Sequence, residues 1–365
     1  MNRFVLLLIF SFVFAFGNGV FASDAGHAEA EESAEEGKFN VNELIMHHIK
    51  DAHDWHLLDY TDKNDEKVSV SVPLPVILFH DGQLDIFMSS DFEHGHKTVT
   101  KGSNTYILHH NKIYIADEHD EICYKEADGE PEIVNEKPLD FSITKNVFSM
   151  MIVSIIILLV FIGVAKTYKK RPGRPKGLQA LLEPVIMYVK DEIVYPNLGK
   201  KTDKFLPYLL TIFFFILFNN LMGIIPIFPG GANVTGNIAV TMTLALFTFF
   251  IININGNKHY WKHTLWMPGV PVFVKPILAI VEIMGMIVKP VALTIRLFAN
   301  ITAGHIIILS LVSLIFIYES LVMSPVSVLF VLFMNCLEIL VAFLQAYIFT
   351  MLSALFIGMA VEDHH

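Results

Sequence analysis

Five polar side chains interrupt the two longest apolar stretches of the sequence, at positions where a membrane helix would normally carry leucine. They are Glu282, Arg296, His305, Glu338 and Gln345. An ionisable group inside a bilayer costs several kcal/mol and usually marks a path for ions or protons. A structural ion pair between helices is the alternative for any one such residue, but it explains a set of five less well.

Helical spacing predicts how the polar residues of the first stretch are arranged. At about 100° per residue, Glu282 and Asn300 fall within about 40° of Arg296. His305 points about 180° away from Arg296 and lies about 13.5 Å further along the helix axis. The stretch therefore presents Arg296 on one face and His305 on the opposite face.

The last helix carries the complementary residues. Glu338 and Gln345 share a face and are about 10.5 Å apart along the axis. If the two helices are antiparallel and Gln345 is level with Arg296, Glu338 falls within about 3 Å in height of His305. The spacing thus predicts a His–Glu pair and, deeper, an Arg–Gln pair. Small residues would permit close helix approach at these positions: Ala299, Ala303 and Gly304.

This constellation favours proton transfer. Histidine titrates near neutral pH, and a facing carboxylate would hold its ring and tune its pKa. Arginine is not deprotonated in proteins, so Arg296 cannot pass protons but can attract a carboxylate and block a leak. The pattern predicts two polar half-paths separated by an electrostatic barrier, without a metal ion or cofactor.

The elements that position these residues follow from composition. Of 365 residues, 53% are hydrophobic, and the mean hydropathy is +0.52. The net charge of −10 belongs to the first third, because residues 23–143 hold roughly 27 acidic and 9 basic side chains. This balance excludes a basic nucleic-acid-binding surface and predicts a domain in water. The two cysteines, Cys123 and Cys336, lie in dissimilar regions and predict no disulfide.

The N-terminal part predicts export. Residues 1–22 have the pattern of a cleavable signal peptide, and residues 23–37 form an acidic segment with the composition of disorder. Residues 38–143 are expected to form a small α+β periplasmic domain, with a helix over 42–60 and short strands within 80–90 and 104–117.

Residues 144–365 predict an all-α polytopic membrane domain. We expect five transmembrane helices, at about 147–165, 205–228, 237–254, 270–318 and 325–360, and an interfacial amphipathic helix at about 177–195. The last two spans are long and tilted, and the fourth is a single helix although it contains prolines. Six Lys/Arg within residues 166–176 predict a cytoplasmic side, and the span count then puts the C-terminus there too.

Several of these segments resemble subunit a of the F-type ATP synthase membrane sector, in a bacterial form with an enlarged periplasmic N-terminal domain. "RLFANITAGH" and "LEILVAFLQAYIFTML" are similar to the arginine and glutamine motifs of that family. "KPVALTIRLF", "NNLMGIIP" and "GLQALLEPVI" also match its patterns. The resemblance covers about residues 175–361, so it leaves the outer domain unexplained.

The resemblance implies a non-catalytic proton-channel stator subunit in the bacterial inner membrane. Its partners would be the c-ring subunits, peripheral stalk subunit b, the other synthase subunits and the lipid bilayer. Arg296 would meet each c-ring carboxylate, with Asn300 and Gln345 beside it. His305 and Glu338 would line the outer path, where the family often has Glu and His in exchanged positions. The remaining matches are Glu282 on the cytoplasmic path and Asn220 and Asn237 on the outer path.

Three other functions remain open from the residues alone. A secondary ion or metal transporter would use the same charges, but it should show an internal repeat, which the sequence lacks. The stretch "HHIKDAHDWH" could hold a metal through His47, His48, Asp51, His53 and His56, although a solvated polar helix explains it more simply. A membrane hydrolase would need a nucleophile–base pair, and the apolar stretches contain none.

Overall fold

The computed structural model describes residues 45, 49–61, 67–95, 97–117, 121–127, 130–170, 175–225, 228–267, 269–318 and 323–362. The predicted signal peptide and acidic segment lie outside these residues. The chain divides into two compact units. The first holds the described residues of 46–151 with the loop 228–232, and the second holds the rest of the helical part.

Antiparallel strands build the first unit. The strands are β1 Asp54–Thr61, β2 Lys67–Pro73, β3 Pro75–His80, β4 Gln83–Met88, β5 Val99–Lys101, β6 Asn104–His109, β7 Lys112–Ile115, β8 Tyr124–Ala127, β9 Glu130–Ile133 and β10 Leu139–Asp140. They pair in the orders β1-β2, β10-β3-β4, β5-β6-β7 and β8-β9. Alternation puts Val76, Leu78 and Phe87 on the buried face, where they pack with Phe92 and Tyr106.

The predicted helix over 42–60 is wrong for its second half. Ile45 is helical, but residues 54–61 form β1, which pairs with β2 through a bulge after His56. The burial pattern explains the difference, because His53 and Trp55 are buried at alternate positions. Trp55 packs edge-on against Phe148, 6.0 Å between ring centroids. Tertiary packing of this period-two pair overrides the helical propensity of the stretch.

A carboxylate of the first unit caps the first membrane helix, α1 Lys145–Lys170. Asp51 accepts hydrogen bonds from the backbone N–H of Asn146 at 3.0 Å and from the Thr144 hydroxyl at 2.8 Å. Helix N-termini leave several N–H groups unpaired, and a negative charge there is also favourable toward the helix dipole. The charge of Asp51 is therefore used by the start of α1.

The other helices follow the predicted order. They are α2 Leu178–Tyr188, α3 Tyr195–Leu198, α4 Thr202–Ile224, α5 Ile238–Asn255, α6 Lys258–Leu265, α7 Lys275–Tyr318 and α8 Met323–Val361. Five helical stretches among the described residues are long and apolar enough to cross a membrane, and α2–α4 count as one of them. The predicted class, a polytopic α-helical membrane protein with a small N-terminal domain, is confirmed.

The predicted interfacial segment is helical but not uniform. A π-helical turn, Val189–Val194, separates α2 from α3. Its residues alternate in helical fashion: Val189 and Ile193 are buried, whereas Asp191 and Glu192 are exposed. Such a charged outer face is typical of a helix at a membrane surface. The interfacial position itself stays a prediction.

Helix α7 continues through Pro290, as the sequence predicts for one long helix. Proline lacks the N–H that would bond the carbonyl of Met286, and membrane helices tolerate this when neighbouring groups adjust. One turn beyond the proline, the Thr294 hydroxyl donates to the Pro290 carbonyl at 3.0 Å, and the helix continues without a break. The polar residues of α7 are therefore held on a single helix.

Candidate functional site

His305 of α7 and Glu338 of α8 form a buried pair. Nδ1 of His305 lies 3.3 Å from Oε1 of Glu338, and the two side chains are 16% and 5% exposed. This contact is the one that helical spacing predicted. A protonated imidazole at this distance stabilises the carboxylate in a water-poor region. The pair can hold a proton on either partner.

Gly304 makes room for that pair. A Cβ atom at this position would lie 2.9 Å from Oε1 of Glu338. The sequence had suggested a close helix approach at Ala299, Ala303 and Gly304. In the structure, Gly304 leaves room for the Glu338 carboxylate. Ala299 and Ala303, by contrast, are exposed.

Arg296 lies on a different face of α7, exposed to the surroundings of the isolated chain. Asn300, one turn later, is exposed on the same face, as are Ala292, Ala299 and Ala303. Within the described residues, no acidic side chain lies at ion-pair distance from the guanidinium. Small neighbours let another helix come close to an unneutralised cation.

Gln345 of α8 is buried, whereas Arg296 of α7 is exposed. Gln345 is 3% exposed, and the arginine lies on the exposed face of its helix. Among the described residues, no hydrogen bond joins the two side chains. The Arg–Gln pair therefore stays a prediction, because spacing along each helix fixes height but not the rotation of a long side chain.

A polar loop reaches the same region from between α4 and α5. The Thr235 hydroxyl donates to Oδ1 of Asn220 at 2.6 Å, and Nδ2 of Asn220 donates to the Ala342 carbonyl of α8 at 3.4 Å. Asn237 ends the loop, and its side chain caps α5 by accepting from the N–H of Ala239 at 2.9 Å. The structure therefore joins Asn220 to the helix of Glu338, and it gives Asn237 a structural task.

Glu282 lies in the first part of α7, half-buried and away from Arg296. Burial, together with the nearby charge of Glu282, raises the pKa of the Tyr260 phenol on α6. A small pocket lies in the same part of the helical unit, with Asn253, Tyr260 and Lys289 in its lining. The ammonium of Lys289 also sits 5.0 Å from the centre of the Phe356 ring.

Sequence reasoning missed Lys289. Lys289 follows Glu282 and precedes Arg296 by seven residues, so the same face of α7 carries three charged groups. A search for charges in apolar stretches could have found it. The loop residues Asn233, Thr235 and Gly236 were also missed, because no periodic pattern marks a loop.

The helical part of the chain matches a known protein family. A sequence model described as ATP synthase A chain matches residues 147–358, more than half of the chain. The chain belongs to the ATP synthase A chain family. All eight predicted site residues, from Asn220 to Gln345, lie inside the matched region.

Individual members of the A chain family are close to this sequence. The ATP synthase subunit a of Chloroherpeton thalassium is 45% identical over 241 residues, covering 62% of this chain and 69% of the relative. The ATP synthase subunit a 2 of Prosthecochloris aestuarii is 47% identical over 242 residues, 62% and 71% of the two chains. The resemblance found in the motifs is therefore confirmed, and the chain is a multi-pass membrane protein.

The N-terminal domain matches a second family model. Residues 44–141 match a family described only as a domain of unknown function. Within the described residues, no group of three or more His, Cys, Asp and Glu is arranged to hold a metal. Of the proposed metal ligands, His53 bonds Asp140 at 2.7 Å and Asp51 caps α1. His47 and His48 lie outside the described residues.

Proposed function

We propose that this chain is the proton-channel stator subunit of an F-type ATP synthase. It forms two aqueous half-channels that pass protons to and from carboxylates of a rotating c-ring. The observation that carries the proposal is Arg296, an exposed cation among small residues with no acidic partner in the described part of the chain. A carboxylate on another subunit would supply the missing counter-charge.

The outer half-channel runs past His305 and Glu338. These two groups are buried together, and Asn220 reaches the same helix pair through Ala342. An imidazole can accept and release a proton, so a histidine in the path suits protons better than sodium ions. Asn237 lies at the outer end of this path, and its side chain also caps α5.

The inner half-channel starts at the pocket near Glu282, Tyr260 and Lys289. Along α7, Arg296 is about 21 Å from Glu282 and about 13.5 Å from His305. A fixed positive charge between the two paths repels protons that would cross directly. Each proton then travels by way of the c-ring carboxylate, with Asn300 and Gln345 beside the exchange point.

The placement in the cell follows from the same proposal. The chain lies in the bacterial inner membrane, with the N-terminal domain in the periplasm and the C-terminus in the cytoplasm. Its partners are the c-ring subunits, peripheral stalk subunit b and the other synthase subunits. ATP chemistry belongs to those partners, since the sequence has no phosphate-binding GxxxxGK[ST] loop.

Arg296→Ala tests the proposal. We expect ATP-driven proton pumping and ATP synthesis to fall to background in membrane vesicles, while the c subunits still co-purify with the chain. Lys166→Ala is the matched control, because Lys166 is an exposed cation on α1 remote from the site. Wild-type coupling in the Arg296→Ala complex would refute the proposed function.

A further inference from the structure

Asn233 carries a buried amide that the protein does not satisfy. The residue is 4% exposed. Among the described residues, neither Nδ2 nor Oδ1 of its side chain has a hydrogen-bond partner. Burying an unpaired amide costs several kcal/mol, and buried polar groups without a protein partner usually bond to ordered water.

The backbone around Asn233 is built to hold this amide in place. The side chain lies directly over Gly236, where a Cβ atom would be 2.1 Å from both amide heteroatoms. The carbonyl of Gly236 accepts a hydrogen bond from the Thr302 hydroxyl of α7 at 3.4 Å. Thr235, between them, bonds Asn220 at 2.6 Å. The amide is therefore fixed rather than free to turn toward a partner.

The loop contacts α7 directly and α8 through Asn220 of α4, in both cases on the Arg296 and Gln345 side of the His–Glu pair. Thr302 precedes His305 by three residues on α7, and Ala342 follows Glu338 by four residues on α8. Both contacts thus lie on the helix faces that carry the pair, about one turn from it. Oε1 of Glu338 is itself buried without a hydrogen bond among the described residues.

We propose that Asn233 binds water beside the His305–Glu338 pair and is a further positioning residue of the outer proton path. This inference rests on the proposed function. Nδ2 donates to a water molecule, Oδ1 accepts from one, and the amide neither gains nor loses a proton. The held water accepts one proton as it releases another along the path that includes the pair, so its own composition is unchanged.

Passive proton flux through the assembled membrane sector tests this role. Asn233→Leu keeps the size but removes both polar atoms, and we expect the flux to fall about fivefold because the water loses its partners. Asn233→Ser leaves a hydroxyl and space for water, so its flux should stay within about twofold of wild type. Thr241→Val is the matched control, because Thr241 is buried near the loop but bonds the carbonyls of Asn237 and Ile238.

Inhibition by silver ions gives a second measurement, for which the substitution at Asn233 introduces only a small side chain. In a background with Cys123→Ser and Cys336→Ser, Asn233→Cys should make the flux sensitive to Ag⁺, whereas the cysteine-free parent stays insensitive. Insensitivity of Asn233→Cys, or full flux in Asn233→Leu, overturns the inference. If the Asn233 inference fails but Arg296→Ala has lost coupling, the proposed function still stands. If Arg296→Ala keeps coupling, the proposed function fails on its own evidence.

Discussion

Exchanging His305 and Glu338 tests whether their pairing, rather than either residue, carries protons. His305→Glu alone places two carboxylates against each other, and Glu338→His alone places two imidazoles there. The double substitution restores one histidine and one glutamate in exchanged positions. Gly304 has no Cβ on the α7 side, where such an atom would lie 2.9 Å from Oε1 of Glu338, so the carboxyl and imidazole can approach each other at this position.

The separation in the structure sets the magnitude. At 3.3 Å between Nδ1 and Oε1, two like charges would repel by about 5 kcal/mol with an effective dielectric constant of about 20. Since about 1.4 kcal/mol is a factor of ten, the His305→Glu variant would hold an extra proton about four thousandfold more tightly than separate carboxylates. A proton held so tightly is released slowly, so the flux should fall by at least about tenfold.

The assay is passive proton flux in vesicles that carry the assembled membrane sector, measured for both single variants and the double variant. Each single variant should lose most of the flux, and the double variant should recover to within about threefold of wild type. Additive losses in the double variant would refute the pairing argument. Co-purification of the c subunits controls for assembly in every variant.

Two further predictions concern Gly304 and His53. Gly304→Ala should reduce proton flux several-fold, because its Cβ would lie 2.9 Å from Oε1 of Glu338. Gly285→Ala on the same helix is the control, since its Cβ meets nothing within 4 Å, and it should leave the flux unchanged. Equal effects of the two substitutions on the flux would contradict this prediction. In the outer domain, burial lowers the pKa of His53, but the hydrogen bond and charge of Asp140 outweigh it and leave that pKa above its usual value. Because the folded state holds the proton more tightly than the unfolded state, the stabilisation is present below the unfolded pKa and is lost as pH rises through the folded pKa. The thermal midpoint of the N-terminal domain should therefore decrease as the pH rises above about 6.5. The His53→Gln variant should lose this pH dependence. A variant that keeps the wild-type pH profile would contradict the role of the His53–Asp140 pair.

The helical part was largely predictable from sequence. Apolar length gave the five spans to within a few residues at most ends, whereas the topology that the basic residues indicate stays a prediction. The fourth span was expected from about residue 270 and begins at Lys275, because Pro271 and Gly269 hold the preceding residues in turns. The second ends at Ile224 rather than residue 228, as Ile225 is extended and Pro226 follows.

The site was predictable where it depends on helical spacing. His305 and Glu338 meet because two long antiparallel helices fix their heights. The Arg296–Gln345 pair stays a prediction, because side-chain rotation is not encoded in spacing. Asn233 could not be found at all, since its burial depends on how the loop between α4 and α5 packs, which no local pattern of the loop reveals.

The cap that Asp51 provides to α1 crosses a modular boundary. The two family matches end and begin at residues 141 and 147, and the capped residues Thr144 and Asn146 lie between them. A chain shortened at this junction would lose a partner 95 positions upstream of Asn146, and its first span would begin with unpaired N–H groups. The N-terminal domain thus supplies the start of the first membrane helix, so removing it cleanly requires a replacement acidic or hydroxyl cap.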